Sequence, residues 1–103
     1  MFENIKNDDL ITLKLVSGEE VIASYKGMAV SSKYVSIDKA LVLMQGPKGL
    51  AFGTFFATAE QTEPINISKD KIVSVAHVNN KIREEYKKVF STIKSPSKPS
   101  IIV

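Results

Sequence analysis

The chain has 103 residues, a formal net charge of +3, 44% hydrophobic and 24% charged residues, and no cysteine. Such a composition describes one soluble globular domain with a modest core, and it excludes disulfides and thiolate metal centres. No apolar run approaches the roughly 20 residues that a membrane-spanning helix needs, and residues 1–9 lack the apolar core and cleavage site of a secretory leader, so a cytoplasmic location is expected.

Charge is unevenly placed along the chain. Residues 1–78 hold eight Lys against nine Asp or Glu, whereas residues 79–103 hold six Lys or Arg against Glu84 and Glu85. A basic C-terminal segment either keeps a protein in solution or meets a polyanion.

Residues 1–9 are polar and read as an N-terminal arm, with Asp8-Asp9 as a turn. In the next stretch Leu13 and Leu15 alternate with Thr12 and Lys14, and Ser17-Gly18 follows. Val21, Ala23 and Tyr25 then alternate with Glu20, Ile22, Ser24 and Lys26. Period-two spacing on both sides of a glycine turn predicts a hairpin of strands 10–16 and 19–26. After a loop at 27–32, the apolar positions Val35, Ile37, Leu41 and Leu43 define a strand over 34–44. Asp38-Lys39 breaks its alternation and predicts a bend or bulge.

Gln45-Gly46-Pro47-Lys48-Gly49 is a turn, and residues 50–57 form a fourth strand. A polar loop at 60–64 precedes Ile65-Asn66-Ile67, which alternates again. Lys69-Asp70-Lys71 is a charged turn into the last strand, 72–78. Asn79 or Asn80 caps a helix that runs to residue 94. Ile82, Tyr86, Val89, Phe90 and Ile93 share one face of it, and Glu84-Glu85 precede Lys87-Lys88 as the helix dipole favours. The Pro- and Ser-rich residues 95–103 read as a disordered tail, so the chain divides into arm, β domain (10–78), helix (79–94) and tail.

Several of these features resemble Sm-like proteins. Gly18 followed by Val21 and the small Ala23 resembles their first sequence motif. Ile67-Ser68-Lys69-Asp70-Lys71-Ile72-Val73-Ser74-Val75 resembles the second, and Ala40-Leu41-Val42-Leu43 their third strand. The Ser-Gly-Glu-Glu-Val hairpin and the helix after the last strand are similar to the small phage-type Sm-like proteins of marine phages, over residues 10–93. This resemblance implies a mainly β fold, a five-stranded and strongly bent antiparallel sheet closing into a small barrel, with a C-terminal helix. It also implies a homo-oligomeric ring, from pentamer to heptamer, that binds RNA or single-stranded DNA.

The functional motifs depart from the family. RNA-binding Sm proteins carry an Asp and an Asn in the loop after the second strand and an Arg-Gly pair before the last. Here the first region reads Ala29-Val30-Ser31-Ser32-Lys33-Tyr34, and Ser68 and Lys69 stand where Arg and Gly would be. The uridine pocket of the family is therefore not supported. Lys33, Tyr34, Ser68, Lys69 and Lys71 remain as candidate nucleic-acid contacts, supplying phosphate-binding cations and one stacking surface. The alternative is that they are ordinary turn lysines and a half-buried strand tyrosine.

Residues 49–59 carry no charge and three phenylalanines, Phe52, Phe55 and Phe56. Adjacent strand residues face opposite ways, so Phe55 and Phe56 cannot both enter one core. The segment is either a central strand buried on both faces or an edge covered by a neighbouring subunit. Sm-like rings pair the fourth strand of one subunit with the fifth of the next, which implies Phe52, Phe55, Phe56, Ile72, Val73 and Val75 as the subunit interface.

Catalytic chemistry finds no constellation. His77 is the only histidine, and no nucleophile or carboxylate lies near it in sequence. The neighbours in Glu19-Glu20 and Asp8-Asp9 diverge in extended chain, and Gly46, Gly49 and Gly53 do not form a phosphate loop. No enzyme activity, cofactor, metal set or membrane partner is expected. Ile101-Ile102-Val103 is either a frayed tip or a docking peptide. The expected function is a non-enzymatic, ring-forming nucleic-acid-binding module; the alternative is a structural or protein-interaction ring.

Overall fold

A computed structural model of the protein describes residues 1–55 and 63–93. Its elements are β1 (Leu10–Leu15), β2 (Glu20–Ala29), β3 (Tyr34–Gly46), β4 (Gly49–Thr54), β5 (Ile65–Ser68), a 3₁₀ turn (Lys69–Lys71), β6 (Ile72–His77) and α1 (Asn80–Ile93). The strands form one antiparallel sheet in the order β4-β3-β2-β1-β6, with β5 also on β3.

Six strands replace the expected five because the long edge beside β3 is made in two pieces. β4 pairs with residues 41–46 of β3, and β5 pairs with residues 34–37. Nor is the sheet a closed barrel: β4 and β6 stand at its two ends and pair with no further strand of the described chain. The expected end of the fourth strand at residue 57, the helix end at 94 and the tail at 95–103 lie outside the described residues.

Strand alternation builds two apolar cores on opposite faces of this sheet. Ile11, Leu13, Leu15, Val21, Ala23, Tyr25, Val35 and Ile37 fill the first, and Ile22 and Leu41 meet Tyr86 and Val78 in the second. Strands β2 and β3 feed both, and in β3 a bulge sets which residues face which core. Lys39 adopts a left-handed φ of 54°, and the β2–β3 register shifts between Ile22 and Ser24. With one extra residue inserted, Ala40 and Val42 continue the face of Val35 and Ile37, while Leu41 and Leu43 turn to the helix. Gly27, at φ 97°, marks a second register shift near the end of β2.

The helix begins where the Asn79 side chain accepts the backbone N–H of Ile82 at 2.9 Å, an N-cap at the position that satisfies a free first-turn donor. Ile82, Tyr86, Val89 and Phe90 lie on the second core, as their spacing requires. The Tyr86 hydroxyl donates to the carbonyl of Lys39 at 2.6 Å, tying α1 to the bulge. Burial, with Asp38 nearby, raises the pKa of this phenol, so it stays a neutral donor.

The N-terminal arm is part of the core. Phe2 is buried and stacks on Tyr25 with ring centroids 5.7 Å apart, a contribution of about 1.5–3 kcal/mol for burying such a ring. The backbone bonds Asp8 N–H to Tyr25 O (2.7 Å) and Tyr25 N–H to Asp9 O (2.8 Å) extend the pairing of β2 into the arm. An Asp8–Lys26 ion pair and the contact of Asp9 Oδ2 with His77 Nε2 at 3.1 Å hold its end.

Two outcomes follow from these contacts. Tyr86→Phe keeps the ring but leaves the Lys39 carbonyl without its donor, and should cost about 1–2 kcal/mol. A urea unfolding midpoint unchanged from the parent would contradict this. The second concerns acid. The Lys6 N–H, and after it His77, hold the Asp9 carboxyl below its usual range. A depressed folded pKa gives stability that is complete above the unfolded value, near about 4, and is lost as pH falls through the lower folded value. Asp9→Asn should therefore flatten the acid limb of the stability profile below about pH 4, read by urea titrations along that limb.

Candidate nucleic-acid interface

Four of the five candidate contact residues meet at one end of the sheet. Tyr34 lies opposite Ser68 in the β3–β5 register. The Lys69 N–H then donates to the Lys33 carbonyl at 3.0 Å, so the β2–β3 loop and the 3₁₀ turn are joined backbone to backbone. Lys71 sits at the other end of that turn, where its carbonyl accepts the N–H of Val16 beside the β1–β2 turn.

The surroundings of these side chains differ. Lys33 is exposed and forms no ion pair among the described residues, and the Tyr34 ring is 36% exposed. Lys69 is half-buried and lines an open cleft of about 320 Å³ with Met1, Phe2, Glu3, Tyr25 and Met28. Glu3 shares that cleft, its carboxyl held below the usual range chiefly by the N-terminal ammonium and, least, by Lys69. Lys71 is likewise exposed and without an ion pair among the described residues, so Lys33 and Lys71 share the site's accessible positive charge.

The loop itself is strained. Val30, Ser31 and Ser32 have φ of 52°, 55° and 67°, a run of left-handed residues without glycine. This conformation costs an L-residue roughly 1–2 kcal/mol, and a β-branched one at the unfavourable end. The bond from Lys33 N–H to Val30 O (3.0 Å) closes the turn. Val30, which the sequence reading did not single out, is 62% exposed.

Of the expected interface residues, most serve the subunit's own cores. Ile72 is buried in the first core, Val75 and Phe55 pack against it, and Phe52 packs under α1. Phe56 lies outside the described residues. Val73 is 58% exposed, because a register shift between Lys14 and Leu15 leaves it opposite no partner of β1. At the far end of the sheet Leu50 and Met44 are exposed on the β3–β4 hairpin, and the Met44 side chain lies over Gly53, where a Cβ would meet its Cε at 2.8 Å. Neither β4 nor β6 contains an Asp, Glu, Lys or Arg.

His77 finds a carboxylate, Asp9, that sequence proximity could not show; both are exposed enough to reach water, and the pair fastens the arm to β6. No cluster of three potential metal ligands occurs among the described residues, and no described helix is long and apolar enough to cross a membrane.

No family model matches the chain, and no curated protein matches it in sequence. The structure itself defines a mainly β protein, an open antiparallel sheet of six strands with one C-terminal helix.

Exposure separates edge from core in a direct comparison. Leu50→Lys should leave the subunit folded, with a cooperative melt, as surface substitutions do. Ile72→Lys, which buries an unpaired charge in the first core, should unfold it. Thermal melts of the two variants check the assignment.

Proposed function

We propose that this chain is the subunit of a homo-oligomeric ring of the phage-type Sm-like kind, non-enzymatic and acting in the bacterial cytoplasm. The ring binds single-stranded RNA or DNA by charge rather than sequence. The observation that carries the reading is the junction of the two loops through Tyr34–Ser68 and Lys69–Lys33. These are the places where RNA-binding Sm proteins hold their contacts, and here they offer an exposed Lys33, with no ion pair among the described residues, and an exposed Tyr34. Lys33, Ser68 and the neighbouring Lys69 and Lys71 suit phosphates, which position a strand without reading it.

Ring formation is supported by the two uncharged sheet ends. An open edge with no charge is a template for another strand. β4 and β6 differ, so joining one to the other between copies is a head-to-tail contact, which closes into a ring when the rotation allows. Val73 on β6 and Leu50 on β4 supply exposed apolar side chains at those ends. A ring repeats each weak phosphate contact, and avidity raises the total affinity. A ring that holds protein partners and no nucleic acid is the second reading, and the sharing of the Lys69 cleft with Glu3 favours it.

Light scattering on the purified protein tests the assembly: a mass several times that of one chain is expected, reduced toward the subunit mass by Leu50→Lys. A monomer at micromolar concentration contradicts the proposal. Anisotropy of a labelled single strand tests the ligand. Binding at low salt should vanish near 0.5 M salt, where the Debye length is about 4 Å, and should weaken in Lys33→Glu with the ring intact. A ring that leaves the strand unbound at low salt supports the second reading.

A further inference from the structure

We infer that Val30 is a base-contacting residue of this surface, kept in a strained backbone so that an apolar side chain stands out of the loop that Tyr34 follows. The inference rests on the nucleic-acid reading of the previous section and adds a contact of a different chemistry, with the bases in place of the phosphates.

Three observations lead to it. The loop from Ala29 to Tyr34 is closed by strand pairing between those two residues and by the Lys33–Val30 hydrogen bond. Within that closed loop Val30 opens a left-handed run at φ 52°, a region in which Asn or Gly is at ease and a β-branched residue is not. Burial gives no reason for valine here, since the side chain is 62% exposed and belongs to neither core. Strain that the fold does not require tends to sit at sites of function.

The neighbours of Val30 indicate the ligand. Tyr34, exposed at 36%, presents an aromatic ring at the end of the same loop, and Lys33 between them carries a charge with no acidic partner among the described residues. An apolar side chain, an aromatic ring and a cation within five residues match an unstacked base and its phosphate, the combination that tolerates any sequence. Ser31 and Ser32 add hydroxyls without charge.

Two substitutions separate strain from contact. Val30→Asn accepts the left-handed backbone and removes the apolar group. It should raise the thermal midpoint by about 4–8 °C while weakening binding of fluorescein-labelled oligouridylate and oligothymidylate about tenfold. Val30→Thr keeps the β-branch, so its midpoint should match the parent while its binding falls severalfold. A midpoint that stays level or drops in Val30→Asn overturns the strain argument. A raised midpoint with parental affinity in both variants overturns the contact and leaves the nucleic-acid reading standing. If the parent ring binds neither oligonucleotide at low salt, that reading fails and the inference falls with it.

Discussion

The carbonyl of Lys39 accepts the Tyr86 hydroxyl at 2.6 Å, at the point where β3 changes the face to which it sends its side chains. In uniform alternation Leu41 and Leu43 would share the face of Val35 and Ile37. The extra residue lets the first half of β3 close the core shared with β1 and β2, while Leu41 and Leu43 in its second half receive the helix. Lys39 pays for this with a left-handed φ, and the hydrogen bond from α1 compensates at the same residue. The partition of the apolar residues of β3 between the two cores depends on that bulge.

The consequences reach the surface. The second core is covered by α1, and Phe2 and Ile5 of the arm join the first. At the sheet's ends β4 and β6 are outermost, contain no Asp, Glu, Lys or Arg, and leave Leu50 and Val73 exposed. An edge of this kind is relieved by strand pairing and not by face packing. The junction of the two loops follows from the same framework. With β5 on the first half of β3, the 3₁₀ turn is delivered against the β2–β3 loop, and residues far apart in sequence become neighbours.

What the sequence made legible was local. The hairpin around Gly18, the interruption at Asp38-Lys39, the Asn79 cap and the face of Ile82, Tyr86, Val89 and Phe90 are each set by spacing within a few residues, and the structure has all of them. What stayed hidden depends on distant partners. Phe2 and Ile5 form an apolar pair in a polar arm, yet only the folded β2 supplies Tyr25 for Phe2 to stack on. Nothing local shows that the segment from Gly49 to Ser68 pairs with β3 in two pieces, or that Ile72 and Val75 face inward while Val73 bulges out. In the candidate site the residue types of Lys33 and Tyr34 were readable. The left-handed run through Val30 was not, since its sequence has no glycine to announce it.

Deleting Lys39 tests the role of the bulge most directly, with deletion of Ala40 as the companion. Without Lys39 the β2–β3 register runs on evenly, so Ala40 still follows Ile37 into the first core and Leu41 still faces the helix. Without Ala40 the same even register places the Lys39 side chain in that core, an unpaired buried charge. In urea unfolding followed by circular dichroism, the Lys39 deletion should therefore keep its helix content and lose no more than about 1–2 kcal/mol with the Tyr86 hydrogen bond. The Ala40 deletion should lose most of a total of roughly 5–15 kcal/mol. A Lys39 deletion that unfolds as readily as the Ala40 deletion would contradict the account.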